Sequence, residues 1–353
     1  MRAILTAAFA ASTFSVLTFA NPGFAADTPK PLFASDEIIS MTLSGPLSGI
    51  SRNRDAKPVP GQLRVTGVSP EALPIELSTR GMVRRLKQTC SFPPLSVEFT
   101  EKPAKTSIFR KQKRLKLVTH CQSSERNEQY VLLEYAAYRL YRALTPESFN
   151  VRLAKIDYVD EDGRSIITRP GFFIEEIDDV ARRNGQKRLR GAKQISISQL
   201  DPAAAARFAI FQYMISNLDW AMTANATGLD CCHNSRLVGA KGATTGLTTI
   251  PYDFDYSGLV DAPYALPPES VSVPNVRVRR YRGFCEHNEQ ARAFAASLLE
   301  RRAELLGIVD QTPQLNDASR EKAARYLGDF FEEISSPAKV TEMLKTCLGR
   351  SAG

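Results

Sequence analysis

The chain has 353 residues, 43% hydrophobic, 24% charged and 8% aromatic, proportions of a packed globular protein that exclude disordered, collagen-like and membrane-embedded classes. Its 46 Lys and Arg against 38 Asp and Glu give a formal charge of +8. The 20 Gly and 21 Pro are scattered rather than periodic, which removes fibrous and low-complexity architectures and leaves room for one large domain or two modest ones.

Arg2 precedes an apolar run from Ala3 to Ala20, followed by Asn21-Pro22-Gly23-Phe24-Ala25. A basic start, an apolar middle and small residues before a cut describe a secretory signal peptide over 1–25, with an uncleaved anchor helix as the rival. The mature chain is then periplasmic or secreted, and no later stretch is apolar for long enough to span a bilayer as a helix. All six cysteines, Cys90, Cys121, Cys231, Cys232, Cys285 and Cys347, lie beyond the leader. Three disulfides are the natural count in an oxidising compartment, with 15 connectivities open. Cys231-Cys232-His233 lacks the partner motifs of a metal site, so its two cysteines are expected to bridge to other parts of the chain.

After an N-terminal extension over 26–60, short β-like runs bounded by Gly, Pro and charged turns are expected at Leu63 to Val68, Leu73 to Leu77, Leu95 to Phe99 and Leu115 to Thr119. The spacing of Leu133, Ala136, Ala137, Leu140 and Leu144 predicts a helix from Glu128 to Leu144, stopped by Pro146. Strands return at Val151 to Val159 and Phe172 to Ile174, and a polar connection covers 178–200. Asp201-Pro202, a capping residue and a first-turn proline, opens a buried helix over 203–216. Loops and short strands fill 217–274, and amphipathic helices follow at 288–308, 318–334 and 337–348. The coarse architecture is α+β: a β-rich first lobe over 61–180 and a mainly helical second lobe over 181–350.

The sequence contains no GxSxG, GxxxxGK[ST] or GxGxxG, and three histidines, His120, His233 and His287, leave little for a hydrolase triad or a His-based metal centre. Polar groups concentrate instead after the buried helix, in Asn217-Leu218-Asp219, His233-Asn234 and Asp253-Phe254-Asp255. Phosphoryl transfer needs such a set: an aspartate for the acceptor hydroxyl, an Asn and a further Asp for a divalent metal, and a lysine for phosphate charge steadied by a glutamate.

These groups come in an order that resembles the CotH-type (spore-coat protein H-like) atypical protein kinases. Ser78-Thr79-Arg80-Gly81, Phe92-Pro93-Pro94, Arg114-Leu115-Lys116-Leu117, Gly171 to Asp178 and the three polar groups above carry the resemblance through most of 75–260. It implies a two-lobed protein-kinase-like fold and an exported kinase that moves a phosphoryl group from ATP to protein Ser/Thr. The implied roles are Asp219 as catalytic base, Lys116 and Glu134 as a cofactor-binding pair, and Asn234, Asp253 and Asp255 as ligands of Mg²⁺ or Mn²⁺. Two features depart from an ordinary kinase: Asn234 follows Asp219 by 15 residues rather than about five, and no glycine-rich loop precedes Lys116. The alternative is a catalytically inactive, kinase-like envelope interaction protein. The basic runs Arg84-Arg85, Arg110 to Lys116, Arg182 to Lys193 and Arg277 to Arg282 come with no nucleic-acid module; they suit a Ser/Thr-bearing protein substrate or an acidic envelope partner rather than nucleic acid.

Overall fold

A computed structural model describes residues 28–66, 70–225 and 229–349. The expected signal peptide and the end of the first expected strand, Gly67 and Val68, lie outside the described residues. In chain order the first elements are β1 (Ile39–Ser44), α1 (Leu47–Arg52), β2 (Val59–Val65), β3 (Glu71–Thr79), β4 (Leu95–Phe99), β5 (Arg114–Val118), α2 (Glu125–Leu144), β6 (Val151–Val159) and β7 (Ser165–Ile174). The strands close into a barrel in the order β1-β2-β3-β4-β5-β7-β6. Every pairing is antiparallel except the one that closes the ring, where β1 runs parallel to β6 with Ile39 beside Ala154 and Ser44 beside Val159. The stretch 26–60, read as an extension, thus supplies the closing strand.

Period-two alternation decides what fills the barrel. Leu115, Leu117 and Phe173 point inward with Leu43, Leu63, Leu77, Val97 and Ile156. Their neighbours Val118, Phe172 and Ile174 point outward and join a second core around α2. Gly171 is needed where β7 crosses β5, because a Cβ there would lie 2.7 Å from the Val118 carbonyl oxygen and 2.8 Å from Ile156. Helix α2 is buried along most of its length, and its Tyr138 ring stacks edge-on against Phe254 at 4.6 Å.

Beyond the barrel come α3 (Ile177–Arg183), β8 (Lys187–Arg188), α4 (Pro202–Met214), β9 (Ser235–Gly239), β10 (Thr248–Pro251), α5 (Asn288–Glu300), α6 (Arg302–Asp310), α7 (Asp317–Glu333) and α8 (Pro337–Leu344). Asp201 caps α4 by accepting the Ala204 N–H at 2.7 Å, with Pro202 in the first turn. That leaves Phe208, Phe211 and Met214 to fill the second core against α5. The expected single helix over 288–308 breaks at Arg301 into α5 and α6.

The expectation of a two-lobed kinase-like fold with a mainly helical C-terminal lobe is corrected here. The strands form a closed seven-stranded mixed barrel, and 32% of the described residues are helical. The short strands expected within 217–274 are Ser235–Gly239 and Thr248–Pro251, the latter holding the β-branched run Thr248-Thr249-Ile250, and with Lys187–Arg188 they make a three-stranded sheet, β10-β9-β8. Long irregular segments, such as 252–284, fill much of the rest.

The six cysteines form three disulfides, Cys90–Cys121, Cys231–Cys232 and Cys285–Cys347, which fits an oxidising compartment. Cys231 and Cys232 pair with each other rather than with other parts of the chain, a second correction to the sequence expectation. Among the described residues no helix is long and apolar enough to cross a membrane.

Candidate functional site

Helix α4 ends at Met214, and Ser216 takes a left-handed backbone (φ 49°) that turns the chain into Asn217-Leu218-Asp219. Asn217 is buried; its Oδ1 accepts the Asp219 N–H at 3.1 Å and its carbonyl accepts the Trp220 indole N–H at 2.8 Å. This turn presents the Asp219 carboxylate half-exposed. One of its oxygens is hydrogen-bonded to His233 Nε2 at 2.7 Å, and the other accepts Asn234 Nδ2 at 2.8 Å. The same Asn234 amide also donates to the Asp219 carbonyl at 2.7 Å. Asn234 itself sits at φ 47°, a conformation Asn tolerates better than most residues. The 15-residue separation of Asp219 and Asn234 is therefore closed in space. The hydrogen bond to Asp219 raises the His233 pKa above its ordinary value.

The Asp253-Phe254-Asp255 run follows β10. Asp253, at φ 65°, donates its N–H to the Tyr138 hydroxyl at 2.9 Å, which ties the loop to α2. Phe254 is fully buried, so the two carboxylates flank an anchor. With Glu134 of α2 they bring three carboxylates together, with one oxygen of each within 4.8 Å of the others.

The centre of that trio is the Arg84 side chain. Its Nη1 lies 2.8 Å from Glu134 Oε2, its Nη2 2.7 Å from Asp253 Oδ1, and its Nε 3.1 Å from Asp255 Oδ2. Arg84 comes from the loop between β3 and β4, and Cys90 later in that loop is fastened to Cys121 just after β5. Burial opposes the Arg84 charge, but Asp255 and Glu134 outweigh it and hold the guanidinium firmly protonated. Burial pushes the Glu134 carboxyl up and Asp255 well up. For Asp253, burial is overcome by Arg84 and Arg80, which hold its carboxyl below the usual range.

The residues expected to form the site are not all joined as expected. Asp219 and Asn234 meet directly, and Asp253 joins Asp255 and Glu134 through Arg84. Lys116 does not pair with Glu134. It lies on the outer face of β5, opposite Leu115 and Leu117, and its ammonium is 3.9 Å from Glu176, the residue before α3. Arg84 takes the place expected of Lys116. Only its membership of a basic run was visible in the sequence; nothing there marked it as buried.

An all-oxygen donor set of carboxylates and an amide carbonyl suits a hard cation such as Mg²⁺ or Mn²⁺. Asn234 spends its amide nitrogen on Asp219 and keeps its Oδ1 free for such an ion, and Asp253 is about one-third exposed. Both fit the role. Asp255 fits less well, being nearly buried and engaged by Arg84.

No family model matches the sequence, and no curated protein does. Among solved structures, the Helicobacter pylori proinflammatory kinase CtkA is similar over 71% of this chain and 92% of its own, at 9% identity and a TM-score of 0.37. A likeness that distant bears on neither activity nor mechanism, and it does not reach the CotH-type family, whose resemblance rests on the motifs alone.

Proposed function

We propose that this protein is an exported phosphotransferase that moves the terminal phosphoryl group of ATP to a hydroxyl of a protein Ser or Thr. The observation that carries the reading is the half-exposed Asp219 carboxylate, oriented on one oxygen by His233 and on the other by Asn234. A carboxylate fixed in this way accepts the proton of an acceptor hydroxyl. The hydroxyl oxygen bonds to the terminal phosphorus, the bond from that phosphorus to the bridging oxygen breaks, and ADP leaves. Asn234 and Asp253 are the residues that would hold a divalent metal, with Asp255 as a further carboxylate, and the metal would supply neutralisation of phosphate charge. Lys116 would contact the phosphates, and Glu134 steadies the site through Arg84.

A second reading is favoured by one observation: Arg84 already makes an ion pair with each of Glu134, Asp253 and Asp255. A site whose acids are internally satisfied suits a non-catalytic envelope protein that binds an acidic partner.

Thermal unfolding of the oxidised protein with ATP plus Mg²⁺ or Mn²⁺ separates the two, because a ligand that binds only the folded state must stabilise it. The phosphotransferase gains a metal-dependent rise in melting temperature that Asp253→Ala removes. Asp219→Asn keeps the rise and loses phosphate transfer to a Ser/Thr protein by at least about a hundredfold. No shift at saturating nucleotide leaves the interaction protein as the answer.

A further inference from the structure

Several arginines with limited exposure hold a carboxylate: Arg169 pairs with Glu128, Arg183 with Glu175, Arg207 with Glu147 and Arg279 with Glu333. Others, such as Arg152 and Arg282, instead donate to backbone carbonyls. Three further arginines stand together. Arg80, Arg188 and Arg236 are half-buried, and among the described residues none is within ion-pair reach of an acid. They gather around Lys116, whose one acidic contact is Glu176 at the long distance of 3.9 Å.

The fold brings them there from four elements. Lys116 stands on the outer face of β5, opposite Ile174 of β7. Arg80 leaves the end of β3, where its N–H donates to the Pro94 carbonyl at 2.9 Å, and its Nη1 is buried without a hydrogen-bond partner. Arg236 lies on β9 and Arg188 on β8, and Arg188 pairs opposite Val238, two residues along from Arg236 and so on the same face. Tyr252 forms the floor: the Arg236 guanidinium lies over its ring at 4.4 Å and the Lys116 ammonium at 6.0 Å.

Asp178 and Glu176 act on Arg188, and Arg80 acts on Asp253, but among the described residues none of these acids is in ion-pair contact with the three arginines, and like charges held close repel more where water is partly excluded. The trace of that repulsion is visible at Lys116, which burial, with help from Arg80, Arg236 and Arg188 and against the pull of Glu176, brings down to about 8. Folded proteins keep such clusters where an anion relieves them, and planar guanidinium forks match phosphate oxygens two at a time. Lys116 and Arg236 lie over one ring while Arg188 stands two residues along β9 from Arg236, a row of cations that suits a chain of phosphates better than one compact anion.

We propose that Arg80, Lys116, Arg188 and Arg236, on the Tyr252 ring, form a site for a linear polyphosphate chain that is bound through these cations without a divalent metal. This deepens the phosphotransferase reading and rests on it for the identity of the physiological ligand. It differs from that reading in assigning recognition of the phosphate chain to guanidinium groups. The chemistry is shared by nucleoside triphosphates and by inorganic polyphosphate.

The test is calorimetric titration and thermal unfolding of the full oxidised protein in EDTA, with inorganic tripolyphosphate, ATP, adenosine, and sulfate at matched ionic strength. Tripolyphosphate and ATP are expected to bind with similar affinity and to raise the melting temperature, and adenosine and sulfate to do neither. Arg236→Gln and Arg188→Gln should each weaken tripolyphosphate binding about tenfold, the loss of one charge-assisted contact. Both should leave the melting temperature of the free protein equal or higher, since each relieves repulsion; a purely structural role would lower it. Lys241→Ala, at an exposed turn, is the control. Three results overturn the proposal: no tripolyphosphate binding in EDTA, binding of ATP alone, or binding untouched by the two arginine variants. The phosphotransferase reading fails separately, if nucleotide with metal neither stabilises the protein nor supports Asp219-dependent transfer.

Discussion

At the scale of single residues, Arg84 and His120 show how burial and charge are balanced. Arg84 is inside the protein because three carboxylates hold it, and removing one member of such a group strands the others. Arg84→Met is therefore expected to lower unfolding free energy by about 3 kcal/mol in urea denaturation, and a second change, Glu134→Gln, should recover part of it. His120 has the opposite problem. Its ring stacks on Phe92 at 5.1 Å and meets Tyr158 edge-on at 4.9 Å, and burial brings its pKa down to about 4. The unfolded chain takes up that proton near the ordinary value of about 6.5, so it binds more protons than the folded protein between those limits. Stability falls as pH drops through that window, by about 3 kcal/mol from this residue. In His120→Phe, denaturation midpoints measured from pH 7 to pH 4 should lose that component of acid sensitivity. His233 works the other way: its pKa is raised by Asp219, so the pair's contribution is present in acid and fades as pH rises through the folded-state value. A His233→Gln variant should flatten the stability profile above about pH 6.5.

At the scale of elements, the strands and helices follow patterns that could be read before the structure, and the contacts between them do not. Alternation in Arg114–Val118 places Leu115 and Leu117 on one face and Lys116 on the other, and β5 is built that way. The spacing of Leu133, Ala137, Leu140 and Leu144 sufficed for α2. Ile39, Met41 and Leu43 alternate equally well, but a six-residue strand in a segment rich in Ser and Pro gave no sign that it would close a barrel. Tertiary partners were beyond reach for a physical reason: a mid-helix carboxylate such as Glu134 demands a cation, but nothing local says which one. Lys116 and Arg84 were both available, and the β3–β4 loop decided it. The crossing of β7 over β5 offers a direct check on packing. Gly171→Ala must displace the Val118 carbonyl or Ile156, and a loss of about 2 kcal/mol in chemical denaturation is expected.

At the scale of the whole molecule, two long-range disulfides fasten the two cores separately. Cys90–Cys121 spans 31 residues within the barrel half, and Cys285–Cys347 spans 62 in the other. Loop-closure entropy for rings of these sizes is worth about 4 kcal/mol each. Replacing Cys285 and Cys347 by Ser should lower the melting temperature while leaving ligand binding near Asp219 intact, because that bridge touches neither Asp219 nor Arg84. Replacing Cys90 and Cys121 should do more, since the bridge also positions the loop that carries Arg84. A nucleotide titration of each double variant distinguishes the two.

The parallel pairing of β1 with β6 also sets a timetable. Ile39 has to wait for Ala154, 115 residues further along the chain. Until the two meet, β1 and β6 each have an edge with no partner, and unpaired edges recruit other chains. The barrel can be completed only after β6 has emerged, so the N-terminal strand is among the first parts made and the last to be seated. Any truncation that removes residues up to Ser44 would leave both β2 and β6 as open edges for good.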